Sequence, residues 1–143
     1  IYATGTFTLD QSHVGATVRV LVSFIDGDDN PESITSNELG PVENVNDAPV
    51  APVITATQTF PSGVVLLTSD VTDVDGIPGP VTYQWQASTN GTTWTNIPGG
   101  VPLGITADHV GNSLRLVATY TDGGGANETA TSNVIGPITP LGS

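Results

Sequence analysis

The sequence predicts an all-β protein built as an antiparallel β-sandwich. The β-branched residues threonine and valine are abundant, with 21 and 17 copies among the 143 residues. Glycine and proline, with 17 and 11 copies, divide the chain into short segments. Several of these segments alternate between apolar and polar residues, which is typical of half-buried strands. No segment shows sustained helical periodicity, and we expect at most one short helical turn, near Asp108.

An internal repeat sets the predicted domain organisation. Residues 8–42 align without a gap with residues 104–138, at a constant offset of 96, and twelve of the 35 aligned positions are identical. The repeating unit is therefore about 96 residues long, which is the size of one β-sandwich domain. We therefore expect the C-terminal half of one module in residues 1–42, a linker in residues 43–52 and a complete module in residues 53–143. The chain is expected to be a piece of a longer repeat protein.

Six strands are predicted in the complete module, at residues 53–57, 64–71, 81–87, 93–97, 114–121 and 129–135. In the fifth strand, alternate residues from 114 to 120 are apolar, and the earlier copy has apolar residues at the equivalent positions 18, 20, 22 and 24. Asn90-Gly91 predicts a type I′ hairpin between the third and fourth strands. With Trp85 on the third strand, this pattern favours an immunoglobulin-like sandwich that lacks the antibody disulfide.

The composition excludes several classes of chemistry. The formal net charge is -12, from 14 acidic residues against two arginines, and the chain has no lysine, cysteine or methionine. These absences exclude disulfides, thiolate nucleophiles, lysine Schiff bases and the P-loop. A nucleic-acid partner is disfavoured because it requires clustered cations, and no apolar run is long enough to insert into a membrane. The two histidines are isolated, and no Gly-x-Ser-x-Gly motif occurs, so we expect no enzymatic activity.

Clustered acidic residues predict a calcium site, because calcium prefers several oxygen ligands. In an immunoglobulin-like sandwich, the entry of the chain and two of its loops meet at one end of the module. An acidic residue of the preceding module approaches that end, and another acidic loop lies in the first copy. The candidate ligands are Asn46, Asp47, Asp73, Asp75, Asp122, Asp10, Asp26 and Asp28. The alternative is that these side chains only stabilise turns, since Asp and Asn bond to their own backbone.

Aromatic residues suggest a second kind of site. Trp94 and Tyr83 are the candidate surface aromatics for a glycan ligand, whereas the strand position of Trp85 places it in the core.

The segment Val81–Gln86 with Asn90-Gly91, the repeated His-Val-Gly corner and the linker Val45–Pro49 together resemble a known family. They look like the tandem immunoglobulin-like or cadherin-like modules of large secreted bacterial proteins, including RTX-type adhesins and exoproteins with haem-peroxidase domains. Residues 43–49 are similar to the cadherin Asp-x-Asn-Asp-Asn-Ala-Pro linker, and residues 73–75 to its Asp-x-Asp ligand pair.

The resemblance implies a secreted or cell-surface bacterial spacer module without enzymatic activity, stiffened by calcium and partnered by neighbouring repeat modules. Two alternatives stay open: an adhesion module that binds a glycan or a protein, and an accessory module of a secreted enzyme such as a peroxidase. The half-module also predicts a homodimer formed by strand exchange, because its apolar positions lack a facing sheet.

Overall fold

The computed structural model describes residues 5–55 and 65–140, and its regular structure in these ranges is all-β. The chain divides into two compact units between Val45 and Asn46. Besides strands, the described residues form two single 3-10 turns, at Gln11–His13 and Ala107–His109. The second of these confirms the helical turn expected near Asp108. No helix in the described ranges is long and apolar enough to cross a membrane.

The first unit contains one antiparallel pair of strands, β1 (Leu21–Ile25) and β2 (Pro31–Thr35). Leu21 lies opposite Thr35, and the ladder closes at Ile25 and Pro31. The connection is an acidic turn in which the Asp26 side chain accepts two backbone hydrogen bonds. Such turns are a usual role for aspartate.

The second unit is a sandwich of two antiparallel sheets. Its strands are β3 (Ile54–Thr55), β4 (Val65–Thr68), β5 (Thr82–Ser88), β6 (Thr95–Ile97), β7 (Leu103–Gly104), β8 (Ser113–Thr121) and β9 (Asn127–Thr131). One sheet has the strand order β3-β4-β7, and the other has the order β6-β5-β8-β9. The predicted antiparallel β-sandwich is thereby confirmed, while its immunoglobulin-like assignment stays a prediction.

The main core lies between the two sheets. Ile54, Leu66 and Leu103 of the smaller sheet pack against Trp85 and Leu116 of the larger one, and all five are at most 3% exposed. The Trp85 indole N–H donates a hydrogen bond of 2.8 Å to the carbonyl of Gly100, so burial leaves this polar group paired. The prediction that Trp85 belongs to the core is confirmed.

A second, smaller cluster occupies one end of the sandwich, where Val71, Ala118, Tyr120 and Ala130 pack together. This end also carries the connections β4–β5 and β8–β9, which contain Asp73, Asp75 and Asp122 of the predicted calcium site.

Several strand boundaries differ from the sequence prediction. The structure adds β7, which consists of two residues and is too short to show alternation. The last strand ends at Thr131 rather than at residue 135, although Ile135 still forms an isolated bridge with Leu114. Residues 56, 57 and 64 of the predicted strands lie outside the described residues.

The hairpin between β5 and β6 is confirmed, but its predicted type I′ turn is wrong. Ala87 pairs with Thr95, which leaves a loop of seven residues. The Asn90 side chain organises this loop by accepting the backbone N–H groups of Thr92 and Thr93. The longer loop therefore depends on side-chain capping, and only Gly91 of the Asn-Gly pair has a positive φ, of 77°.

The two repeat copies share their backbone hydrogen bonds. Gly15 and Gly111 have φ angles of 81° and 82°, in the left-handed region that glycine tolerates best. Their N–H groups donate to the carbonyls of Val42 and Ile138, each at 2.8 Å. The same turn therefore precedes both strand pairs, and the repeated His-Val-Gly corner has a structural explanation.

Candidate metal centre

Three carboxylates converge at one end of the second unit. Asp73 and Asp75 lie in the β4–β5 connection, and Asp122 directly follows β8. One side-chain oxygen from each lies within 4.8 Å of the others, and no other group of three acidic, histidine or cysteine ligands this close occurs among the described residues. Asp73 and Asp75 are half-buried, whereas Asp122 is only 2% exposed.

The backbone holds the two acidic loops against each other. Asp73 Oδ1 accepts the N–H of Asp75 at 2.9 Å, which closes the first loop. The N–H of Gly123 then donates to the carbonyl of Gly76 at 3.0 Å. A Cβ atom on Gly123 would overlap the carbonyl oxygen of Asp75, so this approach requires glycine.

The two oxygens of Asp122 have different environments. Oδ1 accepts the backbone N–H groups of Gly124 and Ala126, at 2.9 and 2.8 Å, and thereby fixes the β8–β9 turn. Oδ2 is buried and has no hydrogen-bond partner. A buried carboxylate oxygen without a partner is costly, and the nearby Asp73 and Asp75 carboxylates add repulsion. A bound cation would compensate both costs.

Tyr120 orients one of the three carboxylates. Its hydroxyl donates a hydrogen bond of 2.6 Å to Asp73 Oδ2, and its side chain belongs to the second core cluster. Burial, followed by this hydrogen bond and the negative charge of Asp73, raises the pKa of Tyr120. The phenol therefore stays protonated and keeps its role as a donor.

The segment that enters the second unit reaches the same end. The N–H of Asp47 donates to Asp75 Oδ2 at 2.7 Å, and the side-chain amide of Asn46 donates to Glu128 at 2.6 Å. Asp47 is thus joined to the carboxylate cluster through its main chain, and its own carboxylate is not among the three clustered ones. Tyr120 and Glu128 were not identified from the sequence.

The remaining candidate ligands belong to the first unit. The Asp10 side chain caps a 3-10 turn, and its pKa is lowered mainly by hydrogen bonds from Ser12. The pKa of Asp26 is lowered mainly by the backbone N–H of Asn30. Asp28 is exposed, and its N–H donates to Asp26. These contacts are turn and cap contacts, and the role of these residues in calcium binding stays a prediction.

The two histidines also have a structural role. Nδ1 of His13 accepts the N–H of Asp10 at 3.0 Å, and Nδ1 of His109 accepts the N–H of Thr106 at 2.9 Å. Each ring therefore caps the 3-10 turn in its own repeat copy.

The candidate glycan-binding aromatics lie in different environments. Tyr83 is half-buried and packs against both core clusters, so part of its ring is covered, and its role in glycan binding stays a prediction. Trp94 is half-buried, and the guanidinium carbon of Arg115 lies 4.2 Å from its ring centre. One face of Trp94 is thus occupied by a cation–π contact.

The donor set of the cluster fits a hard cation. It consists of carboxylate oxygens, with no histidine or cysteine, which disfavours zinc and other softer metals. Calcium accepts six to eight oxygens in a flexible geometry, whereas magnesium demands a nearly ideal octahedron. The three carboxylates are thus oxygen ligands of the kind that both hard cations accept, and they supply only part of either coordination shell.

A comparison with protein families gives one match. The family model described as "Domain of unknown function (DUF8696)" matches residues 50–136, which is more than half of the chain and includes Asp73, Asp75 and Asp122. No curated protein matches, and no solved structure matches.

Proposed function

The chain belongs to the family described as "Domain of unknown function (DUF8696)", and we propose that it is a structural repeat module without enzymatic activity whose entry is fixed by a calcium ion. One observation carries the proposal. The buried, unpartnered Oδ2 of Asp122 lies in a cluster with the carboxylates of Asp73 and Asp75. A cation that compensated the negative charge would stabilise this arrangement.

The position of the cluster connects metal binding to the mechanics of the module. Asp47, at the start of the second unit, donates its N–H to Asp75, so the entering segment is bonded to a candidate ligand. Without a cation, the three carboxylates repel one another and loosen the two acidic loops. With calcium bound, the loops and the entering segment are held together, which turns a flexible joint into a stiff one.

This function suits a secreted or cell-surface bacterial repeat protein. Extracellular calcium-binding modules have dissociation constants of about 10⁻⁴–10⁻³ M and need only a few charged ligands. Neighbouring modules of the same protein would be the main partners. The absence of lysine and cysteine, together with two histidines that cap turns, supports a role without catalysis.

Calorimetric titration with calcium tests the proposal, with magnesium as the ion control. We expect calcium to bind the full chain, and the amide resonance of Asp47 to move during the titration because Asp75 accepts its N–H. Asp75→Asn should weaken binding at least about tenfold. Asp70→Asn is the matched control, since Asp70 is an exposed acidic residue in the same loop. Equal affinities of the two variants, or no calcium-dependent heat, would contradict the proposal.

A further inference from the structure

The first unit has a large exposed apolar surface at positions that form a core in the second unit. The offset of 96 relates five residues that cluster around Trp85 to five residues of the first unit. The related pairs are Leu103 and Phe7, Ile105 and Leu9, Leu114 and Val18, Leu116 and Val20, and Ile135 and Leu39.

These equivalent residues differ strongly in exposure. The five core residues of the second unit are each at most 7% exposed. In the first unit, Phe7 is 73% exposed, Val20 is 56% exposed and Leu39 is 65% exposed. All five first-unit residues line one cavity of about 880 Å³. This cavity, which we call the acceptor groove, is the counterpart of the space that surrounds Trp85 in the second unit.

The first unit also presents a strand edge. In the second unit, β8 lies between β5 and β9. Its counterpart β1 has only β2 as a sheet neighbour within the described residues. Trp85 of β5 lies opposite Leu116 of β8, and the equivalent of Leu116 is Val20. An antiparallel strand added to β1 in the same register would therefore place a tryptophan over Val20, in the acceptor groove.

We propose that the acceptor groove binds the N-terminal half of another module of this design, which supplies a strand like β5 with a central tryptophan. The added strand would form main-chain hydrogen bonds with β1, and the tryptophan would give specificity through burial, as in other cases of strand addition.

A second copy of the present chain is a poorer occupant. The sequence contains one N-terminal half, residues 50–104, and two C-terminal halves that need such a cover. Two copies together hold two N-terminal halves and four C-terminal halves. Exchange between them therefore still leaves two C-terminal halves uncovered, the same number as in two separate chains. In addition, β5 of a second copy is already paired on both edges, and its Trp85 is fully buried. We therefore assign the groove to a half-module other than the one in residues 50–104.

A peptide titration of the full chain tests this inference, and EDTA in every sample separates it from calcium binding. The probe is a synthetic peptide of residues 80–89, and the control peptide carries Trp85→Ala. We expect the first peptide to bind, to shift the amide resonances of residues 17–25, and to bind at least about tenfold more tightly than the control.

Two variants of the chain localise the effect. Val20→Asp places a charge in the acceptor groove and should abolish peptide binding. Ile25→Asp places the same charge on the opposite face of β1, outside the groove lining, and should leave binding unchanged. Retained dispersion of the β2 resonances, which belong to the same unit as both substitutions, serves as the folding control.

Three results would overturn the inference: no peptide binding at millimolar concentration, equal affinity of the two peptides, or shifts confined to β8 and β9. Sedimentation that showed a dimer of the free chain, dissociated by Val20→Asp, would instead assign the groove to a second copy.

Discussion

Asp122→Asn is expected to stabilise the protein without metal and to destabilise it in calcium. Asparagine keeps an Oδ1 atom that can accept the two turn hydrogen bonds, but it removes the charge of the buried Oδ2. Two unit charges 4.8 Å apart repel by about 3.5 kcal/mol at an effective dielectric constant of about 20. Since Asp73 and Asp75 are half-exposed to screening water, we expect a net gain on the order of 1–2 kcal/mol in EDTA.

Calcium should reverse the order of stability of the wild-type protein and Asp122→Asn. At a free calcium concentration one hundredfold above Kd, the wild-type protein gains about 2.7 kcal/mol from binding. One kcal/mol shifts Tm by about 4–8 °C in a domain of 60–100 residues, so calcium should raise the wild-type Tm by about 10–20 °C. Asp122→Asn lacks one ligand charge and should lose most of this increase, while its Tm in EDTA lies about 4–16 °C above the wild-type value.

Thermal unfolding followed by circular dichroism measures both effects, in EDTA, in calcium and in magnesium, at a fixed ionic strength. Asp70→Asn neutralises an exposed acidic residue in the β4–β5 connection and controls for the change in net charge. A lower Tm for Asp122→Asn by the same amount in EDTA and in calcium would refute the reasoning. Asp122 would then be a hydrogen-bond acceptor of the turn and not a metal ligand.

Three further predictions follow from the same end of the module and from its outer face. Asp73→Ala should weaken calcium binding and lower Tm in calcium. Asp47→Ala should change both quantities much less, because Asp47 contacts the cluster through its N–H. Equal effects of the two substitutions in calorimetry would contradict this prediction. Stability should fall as the pH rises above about 10, because Tyr120 ionises first in the unfolded chain, and Tyr120→Phe should flatten that part of the curve of unfolding free energy against pH. If the module binds a glycan or a protein, the ligand should quench tryptophan fluorescence and Trp94→Ala should remove the quench; a quench retained in that variant excludes Trp94 from the site.

The sequence predicted best those strands in which apolar and polar residues alternate. In β8, alternate residues from Leu114 to Tyr120 face the core, and the strand was predicted within one residue of its observed start. β7 could not be predicted, because two residues carry no periodicity and its pairing with β4 depends on residues far away in the chain. The β5–β6 loop also differs from its predicted form. Side-chain capping by Asn90 replaces the expected tight turn.

The candidate site was predictable to the level of its loops. Sandwich topology alone predicts that Asp73, Asp75 and Asp122 lie together, and the structure brings these three together. The sequence could not decide whether Asp47 uses its carboxylate or its N–H, because both lie at the same position along the chain. Nor could it find the contact between Asn46 and Glu128, which lie 82 residues apart.

The turn role and the ligand role of Asp122 are compatible, although the sequence presents them as alternatives. Its first oxygen accepts two N–H groups of the β8–β9 turn, and Asp26 does the same in the equivalent turn of the first unit. Preservation of this aspartate between the two copies is therefore explained by the turn alone. The proposed ligand role would require a folded N-terminal half that supplies Asp73 and Asp75 beside the second oxygen. The repeated segment of 35 residues thus carries one of the three carboxylates of the proposed metal site, and completion of the sandwich supplies the other two. Calcium binding should consequently report whether a module is complete, and among the described residues we expect calcium at the cluster of the second unit.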